Sequence, residues 1–169
     1  MQPDPYFLKT NRLGCRHWSE DDLPLALGLW GDPDVTRYIG GPFSPEQVAA
    51  RLKLEIDRQG NYGIQYWPIF LLSTDEHVGC AGLRPHKELI PELGFHLRRA
   101  FWGQGLAEEA ARAVIEFAFR SLGAKSIFAA HYPKNAASCH VLQKLGFCYT
   151  HHELYPPTGE MHPSYLLQP

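Results

Sequence analysis

The sequence predicts a mixed α/β fold in which helices and strands alternate within one domain. The chain has 169 residues, little more than the roughly 150 of a common domain, so residues 1–169 are expected to form a single domain. The spacing of apolar residues supports both element types, because it changes from a helical period to strand-like runs and back. This order of elements is typical of a mixed sheet covered by helices.

A first helix is predicted near residue 20. Ser19 is suited to be an N-cap, and Leu23, Leu27 and Trp30 then lie on one helical face, until the glycine and proline of 31–33 break the pattern.

A second helix start combines three signals. Ser44 can cap it, Pro45 suits the first helical position, and Gln47 stands three residues after the cap. Gly60 is expected to end this helix. Its apolar stripe consists of Val48, Leu52 and Ile56.

The middle of the chain changes to strands. Residues 67–73 and 77–83 are strand-like runs around a turn, which predicts a hairpin, and 92–97 is a third strand. The longest helix is predicted over 106–122, and Gly123 suits its end. A strand, a helix and two more strands follow at 125–132, 136–145, 147–154 and 164–167.

Composition and charge narrow the range of partners. A net charge of −2 and a pI near 6.5 argue against a nucleic-acid binder, which usually has a basic patch and a high pI.

The longest apolar run, 66–72, is far too short to span a membrane, and the first residues lack a signal-peptide pattern. The nine histidines match no zinc spacing, so no metal is expected. The cysteines are scattered and predict reduced thiols in a cytoplasmic protein: Cys15, Cys80, Cys139 and Cys148.

The sharpest local feature is the segment 102–107, WGQGLA, between a strand and the longest helix. Small residues let the backbone approach a ligand, and a helix start offers unpaired N–H groups, so this segment suits a pyrophosphate. The alternative is an ordinary strand-to-helix turn. A dinucleotide fingerprint is disfavoured because Gly103 and Gly105 are followed by Glu108 where a third small residue should stand, and the P-loop pattern does not occur.

A second candidate segment enters the next helix. Asn135 is a natural N-cap and Ser138 lies three residues after it. Both side chains could cap the helix and do nothing else, or they could contact the ligand held by the glycine segment.

These two segments resemble the acetyl-CoA-binding core of the GNAT superfamily of N-acetyltransferases. The resemblance covers 92–147 and rests on ELGFHLRRAFWGQGLAEEAARAVIEFAF and NAASCHVLQKLGF. The opening TNRLGCRHWSEDDLPLALGLWGDPDVTRYIGG is similar to the Rim-type branch of ribosomal-protein N-terminal acetyltransferases, in which a tryptophan often occupies the place of Trp102. The resemblance implies a mixed, mostly antiparallel sheet, splayed in the middle to admit CoA and flanked by helices.

The resemblance also implies a role for each matched residue toward acetyl-CoA. Asn135 would bind the pantetheine or pyrophosphate region, and Ser138 would lie near the CoA sulfur. A strand bulge would meet the pantetheine arm and the acetyl carbonyl through Phe95, His96 and Leu97. Main-chain N–H groups would wrap the pyrophosphate along Trp102, Gly103, Gln104, Gly105, Leu106 and Ala107.

For catalysis, the hypothesis is direct attack of a primary amine on acetyl-CoA in a ternary complex, without a metal. Glu92 is the candidate base, although a carboxylate at a strand end could also be a solvated charge. The N–H of Leu97 would stabilise the oxyanion, and Ser138 would supply a proton to the departing thiolate. Ser138 stands where many superfamily members have a tyrosine, and Lys134 stands where the branch often has an acidic residue.

The acceptor remains open between a protein N-terminus and a small-molecule amine. The alternative to an acyltransferase is a CoA-binding regulatory or interaction module without turnover. The family resemblance makes a homodimer the expected assembly. Aromatic residues that could line an acceptor slot, or pack in the core, are Trp30, Tyr38, Trp67, Tyr155 and Tyr165.

Overall fold

One eight-stranded sheet forms the centre of the computed structural model, which describes residues 2–169. Its strands, in chain order, are β1 Leu8–Lys9, β2 Leu13–Cys15, β3 Tyr66–Leu71, β4 His77–Lys87, β5 Ile90–Leu97, β6 Ile127–Ala130, β7 Cys148–Tyr155 and β8 Glu160–Leu167. The helices are α1 Leu23–Trp30, α2 Pro33–Thr36, α3 Pro45–Tyr62, α4 Leu106–Arg120 and α5 Ala136–Lys144, with short 3-10 turns at Glu20–Asp22 and Arg99–Phe101.

The sheet is antiparallel except where β5 meets β6. The strand order is β1-β2-β3-β4-β5-β6-β8-β7. The parallel pair β5–β6 shares a single registered position, Glu92 opposite Phe128. On its other edge β6 pairs with β8 along its whole length, and the rest of β5 has no strand on the side of β6. The sheet is therefore splayed in the middle, which confirms the predicted fold class.

Helices cover both faces of the sheet, so the core has two parts. On one face, α4 and α5 bury Leu106, Val114 and Leu142 against the strands. On the other face, α1 and α3 bury Trp30 and Leu52 against β3 and β4. Among residues 2–169, no helix is both long enough and apolar enough to cross a bilayer.

Most predicted elements are present, but some details were wrong. Residues before Ser19 were assigned no structure, yet they supply β1 and β2 at one edge of the sheet. Leu27 is exposed, because α1 buries Ala26, Leu29 and Trp30 instead. The helix α3 continues past Gly60, so α3 and not α4 is the longest of the described helices, and Gly63 ends it in the left-handed conformation with φ of 72°.

Candidate active site

The gap between β5 and β6 opens into a cleft of about 710 Å³. Its walls are the open side of β5, the start of α4, the start of α5 and the segment around α2. The cleft brings together all of the residues assigned from the sequence except Gln104: Glu92, Phe95, His96, Leu97, Trp102, Gly103, Gly105, Leu106, Ala107, Asn135 and Ser138.

The start of α4 presents free main-chain donors to this cleft. Gly103 and Gly105 have φ of 74° and 75°, a left-handed conformation that favours glycine. A Cβ on Gly103 would meet no atom within 4 Å, and one on Gly105 only the Arg12 guanidinium at 3.7 Å. The first N–H groups of α4 have no partner within the helix, and no side-chain cap supplies one. The loop is therefore open above its glycines and suited to an anion.

Glu108, which stands where a dinucleotide fingerprint would have a third small residue, is held by cations. Its carboxylate accepts a hydrogen bond from Arg112 at 2.8 Å, and the Lys144 ammonium lies 3.8 Å away. These contacts lower the pKa of Glu108, the hydrogen bond from Arg112 being the main cause. The negative charge is thus neutralised locally, and it does not exclude an anion from the loop.

Gln104 does not line the cleft, and its contacts stabilise the loop 102–105 on the side away from the cleft. The side-chain Nε2 of Gln104 donates to the carbonyl of Ala100 at 3.1 Å, and the main-chain carbonyl of Gln104 accepts from the Arg12 guanidinium at 3.0 Å. Arg12 in turn is paired with Glu109 on α4. The side chain of Gln104 therefore stabilises the loop, while only its main chain remains a candidate for ligand contact.

The strand bulge expected at 95–97 is absent. The register of β4 and β5 is regular there, and it directs the N–H of Leu97 into the gap. The N–H of Arg98 donates to the carbonyl of Val78, so these two residues are a hydrogen-bonded pair of the antiparallel ladder. The neighbouring pair, Gly79 and Leu97, is therefore a non-hydrogen-bonded pair, in which the N–H and C=O groups point away from the partner strand. The outward carbonyl of Leu97 accepts from the Trp102 indole at 2.8 Å. The N–H of Leu97 faces the side where β5 has no partner strand, which is the position required of an oxyanion donor.

Asn135 and Ser138 form one unit at the start of α5. The Asn135 Oδ1 accepts from the N–H of Ser138 at 3.2 Å, which leaves its amide nitrogen to donate to the Ser138 hydroxyl oxygen at 2.9 Å. The hydroxyl oxygen is thus an acceptor, and its proton is free to be donated into the cleft. The same two contacts cap α5 and orient the Ser138 hydroxyl.

Glu92 is buried rather than solvated. Both of its carboxylate oxygens accept from Arg84, at 2.7 and 2.8 Å. Arg84 itself lies in the cleft wall and was not identified from the sequence, because its pairing with Glu92 depends on the register of β4 and β5. The two parallel hydrogen bonds fix the position and orientation of the Glu92 carboxylate.

His96 is a neutral donor on the same face of β5 as Glu92. The Trp30 indole donates to its Nδ1 at 3.2 Å, so the ring proton is on Nε2. Burial, with the charges of Arg51 and Arg84, holds the pKa of His96 well below its usual range. His96 therefore remains uncharged near neutral pH.

Stacked aromatic rings line the far side of the cleft. Tyr38 stacks on Tyr132 with ring centroids 5.0 Å apart, and His162 contacts Tyr132 edge-on and Tyr155 at 4.7 Å. Tyr132 and His162 were missed, since nothing in the local sequence shows that α2, the end of β6 and β8 converge. The three other aromatic residues considered for this slot pack in the core: Trp30, Trp67 and Tyr165. Among residues 2–169, no group of three or more His, Cys, Asp or Glu side chains is arranged to hold a metal ion.

Comparisons with known proteins agree with this architecture. A family model described as an acetyltransferase (GNAT) domain matches residues 12–148. The chain is 31% identical over 148 residues to a protein named uncharacterized N-acetyltransferase p20 from Bacillus licheniformis, covering 83% of this chain and 81% of p20. It is 36% identical over 170 residues to the FsC-acetyl coenzyme A-N(2)-transacetylase of Aspergillus fumigatus, covering 90% and 71% of the two chains.

The fold matches that of a solved CoA complex. The structure of RimL, a ribosomal L7/L12 alpha-N-protein acetyltransferase in complex with coenzyme A, superposes with a TM-score of 0.80 at 18% identity, covering 94% of this chain and 95% of RimL. The region matched by the family model contains β5, the glycine loop and α5, which are the segments on which the resemblance rested. The chain therefore belongs to the GNAT family and is an acetyltransferase.

Proposed function

We propose that this enzyme transfers the acetyl group of acetyl-CoA to a primary amine, on a protein N-terminus or a small molecule, by direct attack in a ternary complex. The observation that carries the proposal is the gap between β5 and β6, which has free helix-start donors on one side and buried polar side chains on the other. Such a gap can hold a thioester between an anion site and an amine.

In this proposal the start of α4 binds the pyrophosphate and β5 binds the pantetheine arm. Main-chain N–H groups of Gly103 to Ala107 are the donors at the phosphates, and the helix dipole adds a partial positive charge there. Phe95 and His96 contribute backbone groups along the arm, as does Asn135 from α5. The N–H of Leu97 stabilises the oxyanion that forms when the amine attacks the thioester carbon.

The proton movements follow from the contacts around Glu92 and Ser138. Glu92 retains acceptor capacity beyond its two bonds to Arg84, so it can hold a water molecule that takes the proton of the amine and passes it to solvent. An α-amine needs little help, because its pKa is about 7.7–8.0. When the C–S bond breaks, the Ser138 hydroxyl donates to the thiolate, with water replacing its proton.

The loop assignment is tested by Gly105→Glu, with Gly123→Glu as the matched control. Both glycines are left-handed, with φ of 75° and 66°, and neither has a crowded Cβ position, but only Gly105 lines the cleft. We expect calorimetry to show loss of acetyl-CoA binding in Gly105→Glu and retention in Gly123→Glu. Unchanged affinity in Gly105→Glu would contradict the pyrophosphate assignment.

Turnover is tested by CoA-thiol release against a panel of small amines and N-terminal peptides. Release that depends on both acetyl-CoA and an amine supports the proposal. Binding of acetyl-CoA without thiol release on any amine would favour the CoA-binding module instead.

A further inference from the structure

Three cations in the cleft lining, Arg37, Arg51 and Lys134, have no carboxylate within 4 Å among residues 2–169, and Arg51 is the one of them that is not exposed. Each cleft carboxylate has an arginine partner: Asp34 binds Arg99, Glu92 binds Arg84 and Glu108 binds Arg112. Arg51 is half-buried on α3, and its Nε is buried without any hydrogen-bond partner.

The surroundings of Arg51 hold it in place without satisfying its charge. Its guanidinium lies 4.9 Å from the ring centroid of Trp30, a cation–π contact. Glu55, one turn along α3, makes no ion pair with Arg51: one oxygen of Glu55 accepts from Arg58 and the other from the main-chain N–H of Tyr66. A partly buried guanidinium with free donors is costly unless an anion completes it.

Arg51 lies on the acceptor side of the sheet. Side chains alternate along β5, so Glu92 and His96 point to one face and Phe95 and Leu97 to the other. The face of Glu92 and His96 is the one covered by α1 and α3, as the contact of His96 with Trp30 shows. The proposed CoA elements α4 and α5 cover the opposite face. Arg51 therefore reaches the cleft from the side opposite the proposed cofactor.

We propose that Arg51 binds a carboxylate of the acceptor, so that the preferred substrates are small molecules carrying both a primary amine and a carboxylate. This inference rests on the proposed acetyl transfer to an amine. A planar guanidinium matches a carboxylate with two parallel hydrogen bonds. A carboxylate carries the one negative charge that a single guanidinium offsets, whereas a phosphate monoester carries about 1.5 to 2 at pH 7. A protein N-terminus has a neutral amide where such a substrate has its carboxylate.

The test compares ω-amino acids of increasing length, from β-alanine to 6-aminohexanoate, with their carboxamides. Each pair differs mainly in charge at the far end. We expect the wild-type enzyme to favour the carboxylate member of at least one pair by about tenfold or more in kcat/KM. Arg51→Met should remove that preference by slowing the carboxylate substrate, while the amide changes little. Arg51→Lys should retain part of the preference, because lysine keeps the positive charge but lacks the planar guanidinium that makes two parallel hydrogen bonds.

Lys53→Met is the matched control, since Lys53 is on the same helix, carries the same charge and lies outside the cleft. Calorimetry with acetyl-CoA should give the same affinity for all three variants. Equal rates on the carboxylate and amide members of every pair, or an Arg51→Met loss that is equal on both, would overturn the inference while leaving acetyl transfer intact. A preference for aminoalkyl phosphates over the carboxylates would overturn it as well. Absence of thiol release with every amine would instead be a failure of the proposed function.

Discussion

At the scale of single residues, the contact between Asn135 and Ser138 links helix capping to the proposed proton donation by Ser138. The amide of Asn135 satisfies the start of α5 and at the same time orients the Ser138 hydroxyl. The sequence indicated both residues, because capping has a local signature. It could not show that Asn135 donates to the serine oxygen, which depends on how the amide is turned.

Ser138→Ala should lower kcat by roughly tenfold and leave the KM for acetyl-CoA nearly unchanged, because one proton donor is lost while the main-chain contacts remain. Steady-state kinetics measures both constants. Ser121→Ala, at the exposed C-terminal end of α4, is the control and should have no effect. If kcat is unchanged in Ser138→Ala, the serine has no part in thiolate protonation.

His77 should make stability sensitive to acid. Its ring is buried between Trp18 and Phe70, and burial lowers its pKa to about 4 from about 6.5. Between these values the unfolded chain binds the proton more readily, so stability is complete above pH 6.5 and is lost as the pH falls toward 4. From pH 7.5 to pH 5, the free energy of unfolding should fall by about 2 kcal/mol on account of His77.

Urea denaturation at several pH values measures this slope. His77→Gln should reduce it between pH 5 and 7, and His96, whose pKa is also lowered by burial, should account for part of the remainder. His17→Gln, at an exposed position, should leave the slope unchanged. An unaltered slope in His77→Gln would show that this histidine is not the source of the acid sensitivity.

At the scale of elements, a buried polar network fastens α3 to the sheet. Gln65 is fully buried, accepts from the N–H of Trp18 at 2.8 Å and donates to the carbonyl of Glu55 at 2.9 Å. Glu55 accepts from the N–H of Tyr66 at 2.7 Å. The network joins the chain before α1, the helix α3 and the start of β3, and so positions the wall that contains Arg51.

Gln65→Ala should destabilise the protein by roughly 3 kcal/mol, because it leaves a cavity and the buried N–H of Trp18 without a partner. Gln143→Ala, at an exposed position on α5, should change stability by less than about 0.5 kcal/mol. Chemical denaturation measures both. Equal stabilities of the two variants would contradict the structural role of Gln65.

The elements that could be predicted are those with local signals. Ser44 and Gln47 form the expected capping box, and Gly123 lies in the left-handed conformation that ends a helix. The strands β1 and β2 were missed because they are only two and three residues long, too short for an alternating pattern. They exist because β3 offers an edge to pair with, which is a property of the assembled sheet.

At the scale of the whole molecule, the two sides of the cleft differ in how far the sequence predicts them. The proposed cofactor side consists of continuous segments with glycine and capping signals, so residues such as Gly105 and Asn135 could be assigned. The proposed acceptor side is assembled from Arg51, Arg84 and His162, on three different elements. Their convergence depends on strand register and helix packing, which no local pattern contains.

Because the proposed acetyl-CoA site joins β5, α4 and α5, occupancy should stabilise the molecule as a unit. A ligand at 100 times its Kd adds about 2.7 kcal/mol to the free energy of unfolding. For a chain of 169 residues this raises Tm by roughly 5–10 °C. Thermal unfolding with acetyl-CoA should show such a rise, whereas S-acetylpantetheine at the same concentration should raise Tm much less, since it lacks the pyrophosphate that the start of α4 is proposed to bind. Equal shifts with the two compounds would mean that the α4 start contributes nothing to binding, and the anion site would then have to be sought elsewhere in the cleft.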